Sequence, residues 1–246
     1  MQKINLKQKK VLINVTLKKM DYYFFLTYVF EISAFLLGLY YYKNNKSKEI
    51  KYLIWFLGFT VIVEIIGSYT FLLDEIAFLS RLKGTGFERN FWMYNIYMIG
   101  SILFYTSFFK WFLKSNKAVK ILNWLSVFYA IGSVLYLFVK GGFFEGYSLF
   151  TLLVGTLLVL LSIFLYYYEI IKGDNILEIK NSLPFYVSLG ALFFHVCSTP
   201  VLIYSIYFRQ SFNPEFVNVF RIVLYGSNFI LYSSYIIGFI VCHKKK

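Results

Sequence analysis

Read as a pattern of apolar and polar positions, the chain alternates long apolar blocks with short polar connections. The blocks fall at residues 22–42, 52–73, 91–113, 121–139, 148–168, 183–208 and 222–242. Crossing about 30 Å of hydrocarbon takes about 20 apolar residues at the helical rise, and each block is close to that length or longer. In lipid every backbone amide needs an internal partner, which a lone segment satisfies only as a helix. The pattern predicts an all-α fold, a polytopic membrane protein built as a single bundle of seven transmembrane helices. The connections are too short to hold a soluble domain. Residues 21–246 therefore read as one seven-helix domain, and residues 1–20, "MQKINLKQKKVLINVTLKKM", as a basic N-terminal tail.

Composition agrees with the pattern. The 246 residues are 59% hydrophobic and 15% charged, where a soluble domain averages about 45–50% and about 25%. The formal net charge of +13 would point to nucleic acid in a soluble protein. Here the lysines flank apolar blocks instead of forming a stripe on a folded surface, so nucleic acid is excluded as a partner. Basic loops beside spans set topology and attract anionic headgroups, so the partner that charge implies is the lipid bilayer. Cys197 lies within a span and Cys242 at the end of another, and both read as small buried hydrophobes, not a bridge.

Charge also orients the chain. With seven spans, one face holds segments 43–51, 110–120, 169–182 and the C-terminus, with thirteen lysines. The other holds 74–90, 140–147 and 209–221, with six basic residues. The lysine-rich face is expected in the cytoplasm, which places the N-terminus outside and the C-terminus inside the cytoplasmic membrane. The six lysines of segment 1–20 oppose this count. Translation from Met20 removes the conflict and is the preferred reading. If the tail instead stays in the cytoplasm, the topology inverts. All the arginines, Arg81, Arg89, Arg209 and Arg221, fall on the expected outer face, where their forked guanidinium groups suit an anion or a lipid headgroup.

Polar residues inside the blocks are the candidate chemistry, because an ionisable group at bilayer depth is expensive and normally faces the bundle interior. Glu31 and Glu64 lie about 14 Å below the expected outer boundary at the helical rise, on consecutive spans. His195 lies near the middle of the sixth span, in "FFHVCSTPVLIY", beside Pro200, whose ring leaves the carbonyl of Val196 without its helical donor. Ser198 and Thr199 are expected to help satisfy that region. Asn95, Tyr97 and Asn228 sit in the outer halves of the third and seventh spans. Together Glu31, Glu64, Asn95, Tyr97, His195 and Asn228 predict a polar, outward-leaning cavity for a ligand or a proton.

Absences narrow the function further. His195 and His243 are the only histidines, and Asp21, Asp74 and Asp174 the only aspartates, so the ligand set of a zinc hydrolase is missing. No span has an interior lysine for a retinal Schiff base. There is no G-x-S-x-G elbow and no nucleotide-binding glycine loop. No internal repeat with paired broken helices points to a secondary transporter. No cofactor, metal or catalytic residue is expected.

The segments "IWFLGFTVIVEIIGSY", "FWMYNIYMIGSILFYTSFF" and "KNSLPFYVSLGALFF", with the Glu of the first span, resemble an uncharacterised bacterial family of seven-helix integral membrane proteins. The likeness covers most of residues 20–246, and it implies a seven-helix fold without an agreed activity. The residues themselves favour a receptor-like sensor that binds a small ligand in the outer cavity and signals to a cytoplasmic partner. The alternative is a proton or cation channel or carrier, including a membrane-acting effector, that uses Glu31 and Glu64. An intramembrane enzyme with His195 and a carboxylate as acid and base, and a scaffold or assembly factor, are the remaining classes.

Overall fold

A computed structural model describes the backbone of residues 6–139, 142–173, 176–207 and 214–243. Within those ranges it describes every side chain except those of 6–24, 176–178, 206, 207, 214 and 215. The described residues form helices α1 (Leu6–Asn44), α2 (Lys48–Gly67), α3 (Ala77–Ser80), α4 (Phe91–Lys110), α5 (Asn116–Val139), α6 (Leu149–Lys172), α7 (Leu183–Tyr207) and α8 (Pro214–His243), with short 3-10 turns between some of them. No strand occurs among the described residues. The basic segment expected as a tail continues α1 as helix from Leu6.

The helix starts follow local chemistry. Ser47 is extended and accepts a hydrogen bond from the Ile50 amide at 3.2 Å. Ser148 does the same for the Thr151 amide at 3.1 Å. Each satisfies an amide that the first turn leaves without a partner. The second apolar block is helical only to Gly67, and a 3-10 turn over Ser68–Leu72 completes it.

Six helices are long and apolar enough to cross a membrane among the described residues, at Phe25–Asn44, Lys48–Leu72, Asn116–Val139, Leu149–Lys172, Leu183–Ser205 and Phe216–His243. That is the make-up of a multi-pass membrane protein. Of the expected blocks, the one that falls outside this set is α4, and its packing explains why. It lies against α2, α5 and α6. Met93, Asn95, Ser101, Ile102, Thr106 and Phe109 are all buried. A helix covered by protein on several sides has no need of a lipid-soluble surface, so its sequence carries Asn, Ser, Thr and Tyr.

The packing order is a closed ring. Helix α1 meets α2, α2 meets α4, α4 meets α6, α6 meets α7, α7 meets α8, and α8 returns to α1, while α5 packs outside the ring against α4 and α6. The bundle's two ends differ in charge. One carries the lysines of 43–51 and 110–120, and the other carries Arg81, Arg89 and Arg221. The lysine half is filled by a buried cluster that includes Leu53, Leu57, Phe108, Phe109, Tyr166 and Phe239. Among its rings Phe108 and Phe109 meet edge-on with centroids at 5.4 Å, and Phe109 and Tyr166 meet tilted at 5.6 Å, the spacing that aromatic quadrupoles prefer.

The α7–α8 seam closes the ring through two glycines. A Cβ on Gly190 would lie 3.0 Å from the Leu231 carbonyl oxygen, and one on Gly238 would lie 2.7 Å from Tyr186 Cβ. Small residues let helix backbones approach closely in membranes, where dispersion contacts replace the hydrophobic effect between helices. Gly226, on the same helix α8, has nothing within 4 Å of its would-be Cβ. Gly190→Ala is expected to destabilise the bundle by about 1–3 kcal/mol through overpacking, while Gly226→Ala is neutral. Reversible unfolding of both variants in detergent measures the difference.

Candidate functional site

The arginine half of the ring is hollow. Its interior is a cavity of about 420 Å³ lined by side chains from α1, α2, α4, α6, α7 and α8. Asn90, Tyr147 and Arg221, all next to the arginine-end connections, mark one end of the lining, and Tyr105, Leu231 and Tyr232 mark the other. From Asn90 to Tyr105 along α4 the depth is about 22 Å at the helical rise.

Glu64 sits where three helices meet. The Tyr94 hydroxyl, from α4, donates to Glu64 Oε2 at 2.8 Å. The Tyr28 hydroxyl, from α1, donates to the Glu64 backbone carbonyl at 3.0 Å. One carboxylate oxygen is thus satisfied by a neutral donor, the arrangement a buried acid needs when no cation is at hand. One turn further in, the hydroxyls of Tyr97 and Thr60 share a hydrogen bond of 3.0 Å, and Thr60 also reaches its own helix at the Phe56 carbonyl at 3.0 Å.

Glu31 is different. It is 2% exposed, lines the cavity, and its Oε1 has no hydrogen-bond partner among the described residues. His195 is 6% exposed, lines the same cavity, and its Nε2 has none either. Its ring meets that of Tyr105 edge-on, with centroids 5.7 Å apart. Tyr105 in turn shares a 2.7 Å hydrogen bond with the Tyr235 hydroxyl, which ties α4 to α8 at the cavity's floor. Opposite, the hydroxyls of Thr156 and Thr199 join α6 to α7 at 2.7 Å.

Of the sequence candidates, Glu31, Glu64, Tyr97, His195 and Asn228 line this one cavity, and so does Arg221. Asn95 does not. It is fully buried on another side of α4, where its amide donates to the carbonyls of Phe143 at 3.1 Å and Gly146 at 2.9 Å. That ties α4 to the α5–α6 connection. Arg81 and Arg89 are exposed in the 74–90 connection, outside the lining, and Arg209 lies outside the described residues. Around Pro200, the Ser198 hydroxyl donates to the Phe194 carbonyl at 2.6 Å and Thr199 turns to α6. Neither serves the Val196 carbonyl directly.

Several lining residues escaped the sequence reading. Tyr28, Tyr94, Tyr225 and Tyr232 look like interface aromatics when taken singly. The available signal is spacing: Tyr28 with Glu31 and Tyr94 with Tyr97 are three residues apart, and Tyr225 with Tyr232 seven, so each pair shares a helix face.

A residue that braces the fold and one that lines the cavity separate under mutation. Asn95→Ala is expected to cost about 1–3 kcal/mol by leaving two half-buried carbonyls without this donor. Asn228→Ala is expected to cost less than about 1 kcal/mol. Unfolding of each variant in detergent reads both.

The chain matches no protein-family model, no curated protein and no solved structure, so its function is argued from this cavity alone.

Proposed function

We propose that the protein is a receptor-like sensor of the cytoplasmic membrane, which binds a small ligand in the polar cavity and signals to a cytoplasmic partner. In this reading seven helices cross the bilayer, with α4 as the seventh. Its 20 residues span about 30 Å at the helical rise, the thickness of the hydrocarbon core. The arginine end faces outward and the lysine end the cytoplasm, following the bias of lysines toward cytoplasmic loops.

The observation that carries the reading is a cavity in the arginine half, with carboxyl, hydroxyl and amide groups set among apolar side chains, beside the aromatic cluster around Phe108, Phe109 and Tyr166 in the lysine half. A volume of about 420 Å³ falls within the range of small-molecule sites, about 300–1,000 Å³. A site on one side joined to a packed core on the other can convert occupancy into a helix shift, because packed cores move between discrete arrangements. Tyr105–Tyr235 at the base of the cavity and Thr156–Thr199 in its wall are the interhelical contacts that would carry the shift.

The channel or carrier reading rests on Glu31, whose unpartnered oxygen beside a polar cavity is what a proton-handling group looks like. The two readings differ in flux. Protein in liposomes is expected to pass protons and monovalent cations no faster than empty liposomes. A flux present in the wild type and lost in Glu64→Gln would instead establish the channel or carrier.

Access gives a second prediction. In a background with Cys197 and Cys242 replaced, Asn228→Cys is expected to react with a membrane-impermeant maleimide added from outside the cell. Phe108→Cys, which replaces a residue 1% exposed, is expected to stay unlabelled from either side. Mass spectrometry of the labelled protein reads both, and labelling of Asn228→Cys only from the cytoplasm would invert the orientation.

A further inference from the structure

We propose that the ligand this cavity takes is an organic cation, an amine or quaternary ammonium carried on a small apolar body. The inference rests on the sensor reading of the same cavity and adds the chemical class of what binds there.

The argument starts from charge. Glu31 and Glu64 line one cavity from adjacent helices. Neither has a cationic partner among the described residues, where the ion pair is Lys83–Asp74, on the exposed 74–90 connection. Arg221 lines the cavity but forms no ion pair with either carboxyl. It lies eleven residues before Tyr232 on α8, about 16 Å nearer the arginine end at the helical rise. The lining therefore carries two carboxyls and one arginine, with no ion pair between them among the described residues.

Glu31 supplies the second, independent observation. A carboxyl 98% buried on a residue that lines the cavity, with Oε1 lacking any hydrogen bond among the described residues, is an acceptor built without its donor. Glu64 differs in that a tyrosine already satisfies it. A ligand that brings a positive charge and an N–H, or a methylated nitrogen, fits the unfilled position.

The walls match the same chemistry. Seven lining residues are tyrosines, and ring faces attract a cation through their quadrupole, most strongly where water is displaced. Tyr28, Tyr97 and Tyr232 come from three different helices around Glu31, the way an aromatic cage is assembled. A metal ion fits less well, since no group of three His, Cys, Asp or Glu converges among the described residues.

The test uses the full chain in nanodiscs and three probes of similar size: benzyltrimethylammonium, neutral N,N-dimethylbenzamide and anionic phenylacetate. Titration calorimetry against empty nanodiscs is expected to give the cation a Kd at or below about 1 mM, at least about tenfold tighter than the amide. Glu31→Gln is expected to erase that advantage. Glu64→Gln is expected to reduce it and supplies a second reading if Glu31→Gln fails to fold. Glu75→Gln, on an exposed carboxyl, leaves it unchanged. Amide bound as tightly as cation, tighter binding of phenylacetate, or a cation preference that survives both cavity variants overturns the inference while leaving a ligand site in place. Binding of none of the three overturns the sensor reading with it.

Discussion

The structure depends on one constraint: a polar side chain within hydrocarbon must find a partner or face an interior. The chain meets it by closing six helices into a ring and turning its buried polar groups inward. Thr60 and Tyr97, Thr156 and Thr199, and Tyr105 and Tyr235 bond to one another across helix pairs. These contacts tie α2 to α4, α6 to α7 and α4 to α8. Satisfying the hydroxyls therefore also fixes the geometry of the ring. Among the described residues seven buried side-chain atoms lack a partner, and of these Glu31 Oε1 and His195 Nε2 belong to residues that line the cavity.

The ring is uneven along its axis, and the unevenness gives it a direction. Large aromatic residues fill the lysine half, where rings interlock edge to face. In the arginine half, hydroxyls, amides and carboxyls hold the helices apart around an open space. The polar groups in a mixed lining let water or a ligand complete their hydrogen bonds, while a wholly apolar void loses dispersion contacts with nothing in return. The glycine contacts between α7 and α8 bring those two helices together beside the cavity, so a molecule entering beside His195 presses on a seam with little slack.

Much of the fold was legible because hydropathy and helix length are local properties. Each apolar block became a helix, and α2 stopped short of its block only where Gly67 gives way to a 3-10 turn. Helix α4 shows where that reading thins. Hydropathy reports how a helix suits lipid, and α4 is largely surrounded by protein. The cavity was partly legible, since Glu31, Glu64 and His195 are costly residues at bilayer depth whatever their neighbours. Its tyrosines were not, because a tyrosine at a membrane interface and one in a binding wall look alike along the chain.

The sequence by itself determined that the chain is helical, that several of its helices are long and apolar enough to cross a membrane, and that every arginine lies outside the lysine-rich segments 43–51 and 110–120. Those follow from composition, spacing and the rise of a helix. Only the tertiary structure decided which way each polar side chain turns about its helix. Asn95 and Tyr97 stand two residues apart and were equal candidates, yet Asn95 braces a connection while Tyr97 lines the cavity. Two residues on a helix are about 200° apart around its axis. Depth can be counted along the chain, but the side that faces a cavity is set by where the neighbouring helices pack.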